Sequence, residues 1–489
     1  MFSDSENIFL TLKPKKMKTF SLFSILSFFS LFISAQNWQQ VGEDINSVGT
    51  DDRSGASVSM SDDGLTMAIG SPFNSKNGRL AGHVRVLTFD GVSWVLKGNP
   101  IEGVSTEMGF GISVSLSADA NRIAVFAAHG KVRIYDWNGN SWQQIGNSID
   151  KETLSIVTGS VALSGNGAVV GVGDLGNTIN GIHAGEVRLY TLNGNTWQQK
   201  GSSITGTAYG VTGSALSISD DGNCFATNLH KEKDIQVYYW DQTDWALKGD
   251  IMNEFRATAV NLSSDGNTMA IAGYNGLGDT DQFPFAQVYE WNGTSWKAKG
   301  NPIQADKNGG IPGYSLSLSK NGKVMALGVP NNYTFIGETR VFVQNGANWE
   351  QKGETLFGEF NEYFGQSVSL NASGNILGIG VPRFIHRQDL GKMDKSVVFR
   401  NDAVVSVAEI NQPEFALYPN PTNHQLTIKP DEKLIGFNYT IHSITGQTVL
   451  SGKINSDNTL LEVGDLPSGV YLVQIQSKGG GFTSRFIKE

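Results

Sequence analysis

Chemistry in this 489-residue chain would have to come from a thin set of side chains. The histidines are His83, His129, His183, His230, His386, His424 and His442, and none takes the HExxH spacing that puts two imidazoles on one helix face around a metal. No GxSxG elbow and no GxxxxGK(S/T) phosphate loop is present. Asp279 and Asp281 form a DxD pair, and Asp62-Asp63-Gly64 and Asp220-Asp221-Gly222 place carboxylates in short turns. Calcium takes about six to eight oxygen ligands, more than such turns supply, so they read as hairpin chemistry. Cys224, the one cysteine, sits in the apolar stretch NCFAT and reads as a small buried side chain. The sequence assigns no catalytic, cofactor-binding or metal-ligating residue.

Two recurring sets remain. Arg85, Arg133, Arg188 and Arg340 share one repeat phase. A ring of guanidinium groups could grip an anionic polysaccharide, but a stem lying over a neighbouring unit with its head in water or paired to a carboxylate is the favoured reading. The second set is aromatic. YDWNGNSWQQIG (residues 135–146) packs Tyr135, Trp137 and Trp142 around an Asn-Gly hairpin, as a ligand platform or as packing material would.

The elements that position these residues repeat with a period of about 50 residues. Trp38, Trp94, Trp142, Trp197, Trp245, Trp296 and Trp349 mark one phase, each followed four residues later by Gly. A Ser-rich strand marks the second phase (ASVSMS, ISVSLS, GSVALS, SALSIS, TAVNLS, YSLSLS, QSVSLN), and tight turns such as SDDG and SGNG follow it. Short apolar strands (MAIG, VVGVG, ILGIG) and alternating strands (HVRVLTF, KVRIYDW, EVRLYTL) complete each unit. Four short alternating strands per unit is the pattern of a propeller blade, with the small Ser-rich strand innermost and the Trp strand outermost. The last unit lacks a Trp strand, and a spare one, Asn37–Ile45, stands at the start, where it would close the ring. The expected fold is all-β: a seven-bladed β-propeller followed by a small Ig-like β-sandwich. A recurring Trp phase favours packing over binding, which leaves only Trp137 as a minor candidate for outside contact.

The units resemble the FG-GAP repeats of integrin-α-like propellers, most clearly at GFGISVSLS (residues 109–117) and YFGQSVSLN (residues 363–371). Many repeats of that family carry a calcium loop, and the turns here depart from it. On such a scaffold the longer connections, at residues 71–82, 173–185, 273–285 and 381–395, gather on one face, where binding concentrates.

Both ends read as address labels. From Met17 the chain has the form of a secretory signal, with Lys18, an apolar core and a cleavage site between Ala35 and Gln36. That core is too short for a stable membrane span. The far end is similar to the type A C-terminal sorting domain of the Bacteroidetes type IX secretion system. Its matching residues are Tyr418-Pro419-Asn420-Pro421, Gly446 in TGQ, Gly469 and Tyr471 in LPSGVY, and the basic end at Lys488. The resemblance implies recognition by the outer-membrane secretion machinery and release or surface attachment. Expected domains are an N-terminal extension and signal at 1–35, the propeller at 36–402, a linker at 403–414 and the sorting domain at 415–489.

A net charge of −9 without a basic stripe argues against nucleic acid as a partner. The expected role is a secreted or surface-displayed binding or adhesion protein for a glycan or protein partner. The alternatives are a polysaccharide- or peptide-cleaving enzyme and a passive envelope component, with no cofactor expected.

Overall fold

Segments with apolar side chains on every second residue, bounded by Gly-containing turns, fold into antiparallel strands along the chain. A computed structural model describes residues 37–104, 108–128, 131–150, 159–229, 235–250, 256–275, 283–304, 315–330, 336–383, 393–401, 415–430, 434–443, 447–477 and 480–489. The chain divides into two compact units, residues 1–403 and 404–489.

The described residues of the first unit form seven antiparallel sheets of four or five strands. Six of these sheets run in chain order from a Ser-rich strand to a Trp strand, as in Ser113–Leu116, Arg122–Ala127, Lys131–Trp137 and Trp142–Gln144. The Ser-rich strands touch one another in a circle. It runs from Ser57–Met60 through Ser113–Leu116, Gly159–Leu163, Leu216–Ile218, Arg256–Leu262, Ser315–Leu318 and Ser367–Leu370, and back to the first.

Three sets of hydrogen bonds tie neighbouring sheets together, the inner-strand set being incomplete between the third and fourth. At the turn end the main chain itself forms a hoop: the amides of Asp62, Ala118, Asn166, Asp220, Ser264, Lys320 and Ala372 donate to the carbonyls of Ala118, Gly165, Asp220, Ser264, Lys320, Ala372 and Asp62 at 2.8–3.1 Å. Along the inner strands, Ser59, Ser115, Ser217, Asn261, Ser317 and Ser369 accept from the amides of Leu116, Leu163, Leu262, Leu318, Leu370 and Met60. At the rim, the indole N–H of each recurring Trp donates to the preceding sheet. Trp94, Trp142, Trp197, Trp245, Trp296, Trp349 and Trp38 bond the carbonyls of Val41, Lys97, Ile145, Lys200, Lys248, Lys299 and Lys352. Each such bond is worth about 1 kcal/mol net.

The seventh sheet takes its outer strand from the other end of the unit. Gln39 pairs with Arg400, and Ile45 pairs with Ser396. Outer strands are split, which the Trp pattern alone did not predict: Trp94–Leu96 and Ile101–Glu102 both pair with His83–Phe89. Gly98 interrupts them with φ +79°, and a Cβ there would lie 2.6 Å from the Trp137 ring. Glycine is therefore required both by its conformation and by the closeness of the next sheet.

Apolar cores fill the spaces between sheets. Tyr135 joins Ala68, Val84 and Val86 of the first sheet, and Trp197 joins Ala124 and Ile134 of the second. Trp137 and Trp142 face each other across their hairpin with centroids 5.4 Å apart, both half-buried. YDWNGNSWQQIG is packing material.

The second unit holds a three-stranded sheet (Phe415–Tyr418, Gln425–Pro430, Thr459–Glu462) and a four-stranded sheet (Thr448–Lys453, Asn438–Ser443, Gly469–Ser477, Gly480–Lys488). One core, including Leu426, Ile428, Ile441, Val473 and Phe486, is shared between them.

Ala162 is the one inner-strand position in the serine hoop without a side-chain acceptor. Ala162→Ser should offer the Ile218 amide the acceptor its counterparts have, raising stability by about 0.5–1 kcal/mol; an unchanged or lower thermal midpoint would refute that role for the serines. Deleting Asn37–Ile45 should lower the midpoint by several degrees, because it removes the outer strand of the last sheet and the Trp38 bond; calorimetry reads the shift.

Candidate functional site

The turn end is built from one repeated device. Ser61 donates to Asp63 (2.5 Å) and accepts the Thr66 amide, while Asp63 accepts the Leu65 amide. The same network recurs at Ser117–Asp119, Ser219–Asp221 and Ser263–Asp265. Burial works against the charge on Asp119, Asp221 and Asp265, but donors from serine and asparagine outweigh it and hold these carboxyls below their usual range. The turn oxygens serve their own backbone, which is the hairpin chemistry expected of them.

The residue after each of these serines faces the axis. Asp62, Asp220 and Lys320 meet there, with the Lys320 ammonium 2.7 Å from Asp62 and 2.5 Å from Asp220. They stand at one mouth of an axial cavity of about 300 Å³ walled by the inner strands.

The opposite face carries the longer connections. Residues 276–282 and 384–392 of these connections, with Asp279, Asp281 and His386, lie outside the described residues. At the seam between the last and first sheets a polar cluster collects. Asp394 accepts the amides of Ser54 (3.2 Å) and Arg383 (2.8 Å), and Asp52 accepts from Gly49 and Asn74. Glu362 holds Arg383 and Lys395, and Lys395 also reaches Asp44. His83 lies 3.9 Å from Glu102, and neither ring nitrogen has a hydrogen-bond partner. Burial lowers its pKa, with Glu102 opposing, and burial raises that of Asp394. His83, Asp52 and Asp394 are 2–3% exposed, so these acids and bases are closed to a substrate.

Beside exposed polar side chains such as Lys76, Arg79 and Asn180, the loop face exposes apolar ones. Val48, Val104, Ile179, Ile182, Tyr209 and Phe360 are 42–70% exposed and lie in its connections. The loops of Ile182 and Tyr209 touch, joined by a 2.7 Å main-chain bond. Eight of the ten non-glycine residues with positive φ among the described residues lie on the same face, namely Asp51, Arg53, Leu80, His183, Tyr209, Val211, Asn361 and Tyr363; Ala120 and Gln242 lie in turns elsewhere. Such backbone strain concentrates at binding surfaces.

The repeat-phase arginines are spoken for. Arg188 pairs with Glu186 (3.5 Å), Arg340 with Glu338 (2.8 Å), and Arg85 donates to Ser54. Cys224 is buried, and burial pushes its thiol up to about 11. Sequence reasoning missed the lysines before the recurring glycines. Lys97, Lys200, Lys248 and Lys352 lie 4.9–5.7 Å from tryptophan centroids. The signal was present as Lys-Gly after five Trp strands.

In the second unit the motif residues hold the last strand. Asn420 donates to the Arg485 carbonyl (3.1 Å) and accepts the Ile487 amide (2.9 Å). Tyr418 donates to Asn458, and Tyr471 donates to the Pro467 carbonyl and stacks on Phe486. Gly469 is opposite Lys488 in the sheet register. Gly446 lies outside the described residues, as do Ala35 and Gln36.

The family model for the secretion system C-terminal sorting domain matches residues 416–489. The tail is a secretion system C-terminal sorting domain. The sorting domain implies secretion through the type IX system, to the cell surface or beyond it. Among the described residues no helix is long and apolar enough to cross a membrane. No curated protein sequence matches the chain. Among solved structures, the Cps50 (Swd1) β-propeller domain of Myceliophteria thermophila is similar at TM-score 0.50 and 11% identity, over 73% of this chain and 99% of that one. Hydrazine synthase of Kuenenia stuttgartiensis is similar at TM-score 0.48 and 13% identity, over 71% of this chain and 98% of that one. The first likeness supports a propeller fold for the chain ahead of the sorting domain.

Asn420 ties the sorting domain's motif to its terminal strand by two bonds. Asn420→Ala should therefore speed amide exchange at Arg485–Lys488 by about tenfold, corresponding to roughly 1–2 kcal/mol. Exchange unchanged from the parent would show that the strand is held by other means.

Proposed function

We propose that this chain is a secreted or surface-displayed seven-bladed propeller that binds a glycan or protein partner through its loop face. On this reading residues 1–35 are removed between Ala35 and Gln36, residues 36–402 form the propeller, and 403–414 link it to an Ig-like sorting domain at 415–489. The seven sheets that touch in a circle support the blade count. The likeness of the units to FG-GAP repeats lies in their phase and strands, without that family's calcium loop.

The observation that carries the binding role is the set of exposed apolar side chains on strained loops, Val48, Val104, Ile179, Ile182, Tyr209 and Phe360. The turn face offers fewer, chiefly Leu65 and Val92. Apolar surface rimmed by polar residues marks recognition sites. A hydrolase would need accessible acids and bases, and His83, Asp52, Asp394 and Glu362 of the seam cluster are buried.

Glycan and protein arrays probed with the purified chain, run beside turnover assays on polysaccharide and peptide substrates, test this. Binding without turnover is expected, and it should weaken about tenfold or more in an Ile182→Ser, Tyr209→Ser double variant. Turnover that vanishes on substituting loop carboxylates would replace the binding role with an enzymatic one.

A further inference from the structure

Five junctions between sheets carry a lysine directly before the recurring glycine, and one of these five breaks the pattern. At four others a lysine crosses to the neighbouring turn: Lys97 to the Ala120 carbonyl (2.8 Å) and Asn121, Lys200 to the Gly222 carbonyl (3.0 Å) and Asn223, Lys248 to the Gly266 carbonyl (2.7 Å) and Asn267, and Lys352 to the Gly374 carbonyl (3.2 Å). Lys299 holds the same position, directly before Gly300, yet it turns back on its own sheet to Glu290 at 2.8 Å.

Two substitutions within the repeat explain this. Lys323 stands where the other turns carry Asn121, Asn223 and Asn267, so a crossing lysine would meet a like charge instead of an amide oxygen. Gln344 stands where other units carry Trp137, Trp240 and Trp291, so one of the two rings that lie against Lys97, Lys200 and Lys248 is missing here. The space left between the fifth and sixth sheets is an open groove of about 440 Å³ on the turn face, lined by Asp265, Asn267, Trp291, Lys299, Asn321 and Lys323.

We propose that this groove binds a saccharide bearing a carboxylate or sulfate group. Its volume falls in the range of small-molecule sites. Trp291 borders the groove from the fifth sheet, with its ring packed over Gly249 and Lys248 of the fourth. Exposed Asn321 offers amide hydrogens, and the Lys323 ammonium, exposed and free of any partner among the described residues, meets the anionic group. Lys299 stands beside it, held at Glu290 and able to exchange that partner for the ligand. A single such site fits a feature found at only one junction, whereas the loop face carries the reading given above; the two faces fail or stand independently.

The test is calorimetric titration of the full chain with a galacturonate trisaccharide, a sulfated galactose disaccharide and a neutral galactose trisaccharide. At least one acidic sugar should bind about tenfold tighter than the neutral one, and more weakly at high salt. Lys323→Asn restores the residue of the other turns and lets Lys299 cross and close the groove, so affinity should fall about tenfold with the thermal midpoint kept. Lys323→Gln, which removes only the charge, guards against a folding defect in the first variant and should also weaken binding. Equal affinity for the neutral sugar, no binding of either acidic sugar at millimolar concentration, or undiminished binding by both folded variants would overturn the proposal.

Discussion

The hoop of main-chain hydrogen bonds from Asp62 round to Ala372 and back to Asp62 is the constraint on which the first unit depends. A backbone amide at a tight turn must find an acceptor, and here each turn finds it in the next turn. This fixes the angle between neighbouring sheets at the axis, and the Trp indoles fix it again at the rim. With both ends of each sheet pinned, the faces between them are filled by apolar side chains of matched size, and the Gly after every Trp becomes obligatory because the next sheet's ring lies against it.

Much of this was legible in the sequence. Strand type, strand order and the displaced outer strand at Gln39–Asn46 follow from period-two patterning and from one missing and one spare Trp segment. The split of the outer strand was not legible, because a glycine kink within a strand and a glycine that ends one look alike in sequence. The serines were read as small residues suited to a crowded axis; their second role, as hydroxyl acceptors between strands, emerges only once the strands are placed side by side.

The sites were less legible for a physical reason. A propeller assembles its surfaces from segments about 50 residues apart, so no local motif spans one. Asp62, Asp220 and Lys320 meet at the axis across 258 residues of sequence, and the Lys299 groove is visible only as a departure from what its counterparts do. Motifs of the sorting domain were legible because their partners are local or terminal: Asn420 holds the last strand, and Tyr471 bonds Pro467 four residues upstream.

Closure by the strand at Gln39–Gln40 bears on how the protein meets proteases outside the cell. A chain folded as an open row of sheets falls apart at a cut, since each piece keeps only one neighbour. In this circle every sheet is bonded on both sides, and the first and last strands of the unit share a sheet. A nick in any one exposed connection then changes where the chain ends without freeing a fragment, because the cut opens a covalent circuit that is still closed by hydrogen bonds. Two cuts, not one, are needed to release a piece, and even then the main-chain and indole bonds must part on each side of it.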